Sequence, residues 1–328
     1  MTRSRLLLTS SFSLVTVGAV LALSTFVLGP ARAAVGPLPA EALILPSDAR
    51  VVFGFDVPLL VKSPLYQRMK AKEGDDPFRE LRAKLGLDPE RDLDTVVFAA
   101  GGARHGQKGV ALAFGRFDRY ALGRALEQQK GVTWKQHAGH TVYLFDESSR
   151  GGGGALAFLG DELVAVGARE AVEQVATNHQ NGGSLRANSQ LMTLLGRVKP
   201  GSAFWMAGDQ SALSRLPLQA PAPGGGGQQL ELPALQGVTV TGDLDPALNL
   251  DVVGDATDAA SAAKLADVVR GLVALATLQA AKKPELQQLA AAVSVTTEGR
   301  HVRVGLRLPY ELLDSLEGRG KKAAAVTE

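Results

Sequence analysis

Short runs of β-branched and aromatic residues alternate along the chain with segments whose apolar residues recur at helical spacing. The strand-like runs are residues 50–56, 94–101, 109–117, 132–146 and 155–168. The helix-like segments are residues 57–70, 75–87, 118–129, 169–179 and 188–197. Turns near 138–139 and 160–161 divide two of the strand runs, which predicts hairpins there. The pattern predicts an α+β fold of antiparallel sheet with helices packed on one face.

A similar order of elements returns in the second half of the chain. Four segments repeat the earlier succession of strand, helix and hairpin: residues 201–216, 235–244, 249–269 and 292–316. This order predicts two similar α+β units, the first at 49–199 and the second at 200–317. The pattern does not decide whether the two units lie side by side or share one sheet.

Three segments of the chain show no regular apolar period. Residues 34–48 are rich in proline and alanine and are interpreted as a connector, and residues 218–233 are rich in proline and glycine and predict a surface loop. Residues 318–328 are interpreted as a disordered tail.

The first 33 residues have the pattern of an export signal. Arg3 and Arg5 precede a long uncharged apolar stretch, and Ala31-Arg32-Ala33 supplies the small residues of a signal-peptidase site. This predicts cleavage near Ala33 and a periplasmic or secreted body. The uncharged stretch is also long enough to span a bilayer, so an anchor in the inner membrane at residues 6–28 is the alternative.

Composition excludes several classes of function. The chain has 328 residues and a formal charge of +2, and residues 1–33 contribute three arginines and no acid. The remaining body is nearly neutral, so it lacks the electrostatic signature of a nucleic-acid-binding protein. The chain has no cysteine, which excludes disulfides, thiolate metal sites and a cysteine nucleophile.

Acidic residues stand at each passage from a strand to a helix. They are Asp56, Asp118, Asp209, and Asp255 together with Thr257, and Asp76 is the expected N-cap within the helical segment 75–87. Such side chains accept hydrogen bonds from the free N–H groups of the first helical turn. Because the acids recur at every junction, we expect them to cap helices and not to catalyse a reaction.

Other residues that could carry chemistry lack partners in the sequence. His137 and His140 have a spacing that suits a metal ion, but no third ligand follows at a suitable spacing, so polar hairpin residues are expected. The glycines at 150–155 lead into a strand, whereas a phosphate-binding loop leads into a helix. The sequence therefore predicts no catalytic, metal or cofactor site.

The helix predicted at about 257–281 has apolar residues around much of its circumference. Packing beneath the sheet accounts for most of them. One face is a candidate apolar groove or interface, formed by Leu265, Val269, Leu272, Val273, Leu275 and Leu278.

Two stretches at the start of the body, "LPSDARVVFGFDVPLLVKSPLYQRM" and "LGLDPERDLDTVVFAAG", resemble a family of exported bacterial proteins that contain a domain of unknown function. That family has LP-x-D before a strand, Ser-Pro-Leu in the next helix, and Leu-Gly-hydrophobic-Asp-Pro before the second strand. The resemblance covers residues 43–101. It implies export and a duplicated α+β body, and it brings no catalytic residues.

Together these features predict an exported, non-enzymatic envelope protein that acts as a binding or interaction module. Its partner is a protein or a hydrophobic ligand, without a cofactor or nucleic acid, and it touches a membrane only through an uncleaved N-terminal segment. One alternative is a hydrolase, in which His137, His140 or a junction acid meets a second ionisable group in a cleft. The others are a carrier of lipid or another hydrophobic ligand, and an assembly factor that dimerises through the apolar helix.

Overall fold

The computed structural model describes residues 38–73, 78–101, 109–145, 153–199, 201–213, 219–221, 227–229, 235–279, 284–313 and 315. The described strands are β1 (Val51–Asp56), β2 (Leu93–Ala100), β3 (Gly109–Gly115), β4 (Val132–His137), β5 (His140–Phe145), β6 (Gly154–Phe158), β7 (Leu163–Ala168), β8 (Phe204–Asp209), β9 (Gln219–Pro221), β10 (Gly227–Gln229), β11 (Leu235–Asp243), β12 (Leu248–Ala256), β13 (Val293–Glu298) and β14 (His301–Leu308).

The described α-helices are α1 (Val57–Lys62), α2 (Pro64–Glu73), α3 (Arg79–Leu85), α4 (Pro89–Asp92), α5 (Arg119–Glu127), α6 (Arg169–Asn181), α7 (Ser189–Leu195), α8 (Gln210–Leu213), α9 (Ala259–Gln279) and α10 (Pro284–Ala291). Short 3₁₀ helices lie at Ala40–Ile44 and Leu185–Ala187.

Twelve of the described strands form one antiparallel sheet. Its order is β13-β14-β12-β11-β8-β1-β2-β3-β7-β6-β5-β4, and β9 pairs with β10 in a separate small hairpin. The fold is therefore α+β, as the sequence predicts. The two halves of the chain share the sheet, because β1 pairs with β8 at its centre.

The central strands bury apolar residues on both faces of this sheet. In β1, Val52 belongs to one core cluster, whereas Phe53 and Phe55 belong to another. We call the side of Val52 the first face, which packs against α6 and α7, and the side of Phe53 the second face, which packs against α1 and α10. The prediction of helices on one face was wrong, because strands that are apolar on both sides require cover on both sides.

Helix α9 extends the cover of the second face. Leu265 and Ala266 pack with Val302 of β14. Val302 and Leu308 lie an even number of residues apart in β14, so their side chains point to the same face, and Leu308 belongs to the second-face cluster. On the first face, α7 lies over β8 and β11. No described helix packs against the first face of β12, β13 and β14, which leaves that part of the sheet open.

Candidate functional site

A groove of about 440 Å³ lies on the open part of the first face. Its lining combines the turn after α7 with side chains from β11, β12, β13 and β14. The polar lining residues are Arg197, Lys199, Thr239, Thr241, Asp251, Thr296, Glu298, His301 and Arg303. The groove therefore combines apolar surface from Val198 and Val253 with polar groups and charges of both signs.

Strand register explains why these polar side chains share one face. Thr239 pairs with Ala207 on one side and with Val253 on the other, and Val253 pairs in turn with Arg303. Ala207 belongs to the first-face core, so its register partners point in the same direction. Thr239 is buried and donates its hydroxyl to the carbonyl oxygen of Leu194, which fixes the end of α7 beside the groove.

Asp255 is the most buried charged group beside the groove, with 6% of its side chain exposed. Arg197 Nη1 donates a hydrogen bond to Asp255 Oδ1. Arg300 Nη2 lies 4.0 Å from Oδ2, and His301 Nε2 lies 3.5 Å from Oδ1. Among the described residues, His301 Nε2 is buried and has no hydrogen-bond partner.

More exposed ion pairs lie around this buried cluster. Arg303 Nη1 lies 2.7 Å from Asp251 Oδ2, and Lys199 Nζ lies 3.7 Å from Asp243 Oδ2. Glu298 is exposed at the end of β13. The basic and acidic groups balance, so the groove is densely charged but nearly neutral.

The prediction that Asp255 caps a helix was wrong. Asp255 is still part of β12, where it pairs with His301, and the N-terminus of α9 begins later. The cap is Asp258, whose Oδ1 accepts a hydrogen bond of 2.7 Å from Ser261 N. Hydrogen bonds from the Ser261 backbone and side chain lower the pKa of Asp258. With the cap supplied by Asp258, Asp255 remains available to pair with basic residues.

The other described junction acids cap helices as predicted. Asp56 Oδ1 accepts from Leu59 N at 3.0 Å, and Asp118 Oδ1 accepts from Ala121 N at 2.9 Å. Asp209 Oδ1 accepts from Ala212 N, and Arg50 Nη1 lies 3.0 Å from Asp209 Oδ2. Burial raises the pKa of Asp56, although the hydrogen bond to the helix opposes this shift.

The predicted histidine pair is divided between two environments at the opposite edge of the sheet. His137 and His140 are register partners across the hairpin turn. His137 Nε2 lies 3.0 Å from Thr177 Oγ1, whereas His140 Nε2 lies 3.1 Å from His179 Nδ1. Among the described residues no group of three or more His, Cys, Asp or Glu side chains is placed to hold a metal ion.

The candidate apolar face of the long helix is divided along α9. Leu265 is buried and Val269 packs beside it against the sheet. Leu272 and Val273 are half-buried, and Leu275 and Leu278 are 44% and 76% exposed. The six residues thus change from core to solvent along the helix and do not line one groove.

The sequence analysis missed Arg197, Arg300 and His301 as neighbours of one acid. A weak signal was present, because His301 and Arg303 alternate with valines in "HVRV". That alternation places charged groups on one face of a strand whose other face is in the core.

Several predictions fall on residues that the structure does not describe. These are the leader at 1–33, the helix cap at Asp76, the glycines at 151–152 and the tail at 318–328. Across the described parts of the chain, no helix combines the length and apolar character needed to cross a membrane.

Comparisons with protein families and with curated proteins give no match. Among solved structures, the chain is similar to three crystal forms of TP0453. Form I is 12% identical and covers 86% of this chain and 98% of that chain, with a TM-score of 0.49. Form III is 11% identical, and the match covers 85% of this chain and 96% of the TP0453 chain with a TM-score of 0.49. Form IV is 11% identical, and the match covers 84% of this chain and 96% of the TP0453 chain with a TM-score of 0.47. At this identity and TM-score the similarity carries no function over to this chain.

Proposed function

We propose that this chain is an exported, non-enzymatic protein that binds a polar segment of a partner protein in the groove over β11 to β14. The observation that carries the proposal is the buried cluster around Asp255, placed on the open part of the first face. The junction acids Asp56, Asp118 and Asp209 support a non-enzymatic function, since their carboxylates are engaged as helix caps.

Energetics support recognition as the purpose of the buried cluster. Removing a carboxylate and a guanidinium from water costs several kcal/mol, and apolar residues of the same size often stabilise a protein at least as well. An apolar pair in place of Asp255 and Arg197 would therefore give the protein a similar net stability. A fixed pattern of charge beside an open groove is, however, suited to selecting a partner.

The balance of charges favours a polypeptide as the partner. Lys199 is exposed and only loosely paired, so it is available to an acidic side chain, and exposed Glu298 suits a basic one. Strand β13 is the edge of the sheet beside the groove. Its outer backbone groups offer hydrogen bonds to an extended segment, as in partners that add a strand to a sheet.

The proposal includes a duplicated body whose two units meet at β1 and β8. From that central pair the strand order is β1-β2-β3-β7-β6 in one direction and β8-β11-β12-β14-β13 in the other. When the strands are matched by their distance from the central pair, β12, β14 and β13 correspond to β3, β7 and β6. Helix α6 contacts β3, β7 and β6. The groove therefore takes the position that a helix occupies in the first unit.

Site-specific photo-crosslinking in cells that contain the chain's natural partners would test the proposal. A photoreactive residue at Thr296 in the groove should give a discrete protein adduct, whereas one at exposed Thr277 of α9 should not. Lys199→Glu should reduce the Thr296 adduct several-fold, and Lys264→Glu on α9 serves as the matched charge reversal. Absence of a Thr296 adduct, or an adduct that Lys199→Glu leaves unchanged, would overturn binding in the groove.

Export is tested separately. Alkaline phosphatase fused after Glu328 should be active, because this reporter needs a compartment outside the cytoplasm to form its disulfides. N-terminal sequencing of the mature protein should find Ala34 first, whereas an intact N-terminus in the membrane fraction would indicate the anchor. An inactive fusion that is present at a normal level would refute export.

A hydrolytic activity is the second candidate function, and the approach of His301 Nε2 to Asp255 Oδ1 favours it. An imidazole oriented by a carboxylate is a common general base. Turnover of p-nitrophenyl acetate or p-nitrophenyl phosphate that His301→Asn abolishes and His137→Asn preserves would support it. If neither ester is hydrolysed above the background rate, the binding function remains.

A further inference from the structure

His140 and His179 bring two imidazole nitrogens together from distant parts of the sequence. His140 begins β5, and His179 lies in the last turn of α6. His140 Nε2 and His179 Nδ1 are 3.1 Å apart, and the two rings meet nearly edge to face, with centroids 5.0 Å apart. Both side chains are accessible to solvent, so an ion reaches them without opening the fold.

The separation of the two nitrogens matches two ligands of one transition ion. Histidine nitrogens lie at about 2.0–2.1 Å from Zn²⁺, so a 3.1 Å separation corresponds to an N–metal–N angle of roughly 98°. That angle lies between those of square-planar and tetrahedral coordination. Side-chain adjustments of a few tenths of an ångström would therefore admit either geometry.

The nitrogen of His140 that faces away from His179 lies beside the protein backbone. His140 forms a hydrogen bond with the backbone of Phe158. Because Nε2 is directed at His179, we assign Nδ1–H of His140 as the donor of the hydrogen bond that the Phe158 carbonyl oxygen accepts. A backbone carbonyl on the far nitrogen is the usual support of a metal-binding histidine, because it leaves the lone pair on the near one.

We propose that His140 Nε2 and His179 Nδ1 bind one late first-row transition ion, such as Zn²⁺, Ni²⁺ or Cu²⁺, with water completing its coordination. His137 does not join the site, because its Nε2 lies 3.1 Å from the Glu173 carbonyl oxygen and 3.0 Å from Thr177 Oγ1. The site is independent of the groove, since β5 lies near the opposite edge of the sheet from β13.

Two protein ligands set the expected affinity and selectivity. Dissociation constants in the micromolar range are expected, with Cu²⁺ binding more tightly than Ni²⁺ or Zn²⁺. Mg²⁺ and Ca²⁺ prefer oxygen ligands and should not bind.

The test is calorimetric titration of the chain, purified without a polyhistidine tag, with ZnCl₂ and NiCl₂ at pH 7.5. One equivalent should bind, and His140→Gln and His179→Gln should each weaken binding at least tenfold. His301→Gln is the matched control and should bind as the parent does. In the Cu²⁺-loaded chain, electron paramagnetic resonance should show splitting by two equivalent nitrogens that each site variant reduces to one.

A second readout separates the metal site from a simple hydrogen bond between the rings. Zn²⁺ should raise the melting temperature of the parent chain and of His301→Gln, and should not raise that of His140→Gln. Circular dichroism confirms that each variant is folded. No binding at 1 mM Zn²⁺, or equal binding by the parent and His140→Gln, would overturn the proposal and leave only an N–H···N hydrogen bond.

Discussion

Replacing Arg197 with methionine should destabilise the protein through the carboxylate that it leaves behind. Asp255 has 6% of its side chain exposed, and Arg197 Nη1 donates a hydrogen bond to its Oδ1. Methionine keeps much of the arginine's aliphatic volume and removes its charge. The perturbation therefore tests the ion pair and not the packing.

The expected size follows from what remains around Asp255. Breaking a fully buried ion pair from one side costs about 3–5 kcal/mol. Arg197 is 27% exposed, and Arg300 and His301 stay at 4.0 and 3.5 Å from the carboxylate. We therefore expect a loss of about 2–3 kcal/mol in the free energy of unfolding, which corresponds to a fall of about 3–5 °C in melting temperature for a chain of this length.

Urea unfolding followed by far-ultraviolet circular dichroism is the assay. Arg303→Met is the matched control, because Arg303 pairs with Asp251 on the same face of the sheet, but 59% of its side chain is exposed. An exposed pair contributes about 0.2–1 kcal/mol, so the control should change stability by no more than that. Arg197→Met combined with Asp255→Leu should recover to within about 1 kcal/mol of the parent chain.

Two results would refute this reasoning. If Arg197→Met and Arg303→Met lose the same stability, burial of the carboxylate does not govern the effect. If the double variant is as unstable as Arg197→Met alone, the loss does not come from an uncompensated charge on Asp255.

Three further substitutions test single contacts by urea unfolding. Asp56→Asn should raise stability at pH 7 and have little effect near pH 3. Burial raises the pKa of Asp56, so the stabilisation that the neutral carboxyl group gives the fold is present below the unfolded pKa of 3.8 and is lost as the pH rises through the folded pKa. Asparagine is neutral at both pH values and caps the helix equally well. Gly54→Ala should cost about 1–3 kcal/mol, because its Cβ would lie 2.6 Å from a ring carbon of Trp205, whereas Gly160→Ala meets no atom within 4 Å. Tyr310→Phe should lower the free energy of unfolding by about 1–2 kcal/mol, because it removes the hydroxyl group that donates to the buried carbonyl oxygen of Leu244.

For each of these substitutions, one outcome would contradict the prediction. An equal effect of Asp56→Asn at both pH values would show that ionisation does not destabilise the fold. Equal stability of the two alanine variants would show that the sheet accommodates a methyl group beside Trp205. An unchanged Tyr310→Phe variant would show that water replaces the hydroxyl group.

Local features of the fold could be predicted because the groups involved lie close together in sequence. Asp56 and Asp118 accept from N–H groups three residues ahead, and Gly86 ends α3 with a φ of 66°. The predicted hairpin at 132–146 forms between β4 and β5. Each of these features depends on a few consecutive residues, so composition and spacing are sufficient to indicate it.

The groove could not be predicted in the same way. Asp255 has the sequence context of a junction acid, but the cap is Asp258, and the partner of Asp255 is Arg197, 58 residues away. His140 and His179 are likewise separated by 39 residues. Spacing along the chain carries no information about such contacts.

The sequence by itself determined the strands and helices, the helix caps at Asp56, Asp118 and Asp209, and the α+β class, because hydrogen bonding between near neighbours and apolar periodicity fix them. Only the tertiary structure decided that both halves share one sheet, that helices cover both faces, and that Asp255 meets Arg197, Arg300 and His301 beside an open groove. The physical reason is that alternation tells which side chains of a strand lie together, but not which strand lies beside it or which helix covers it. Those choices follow from packing the whole chain at once.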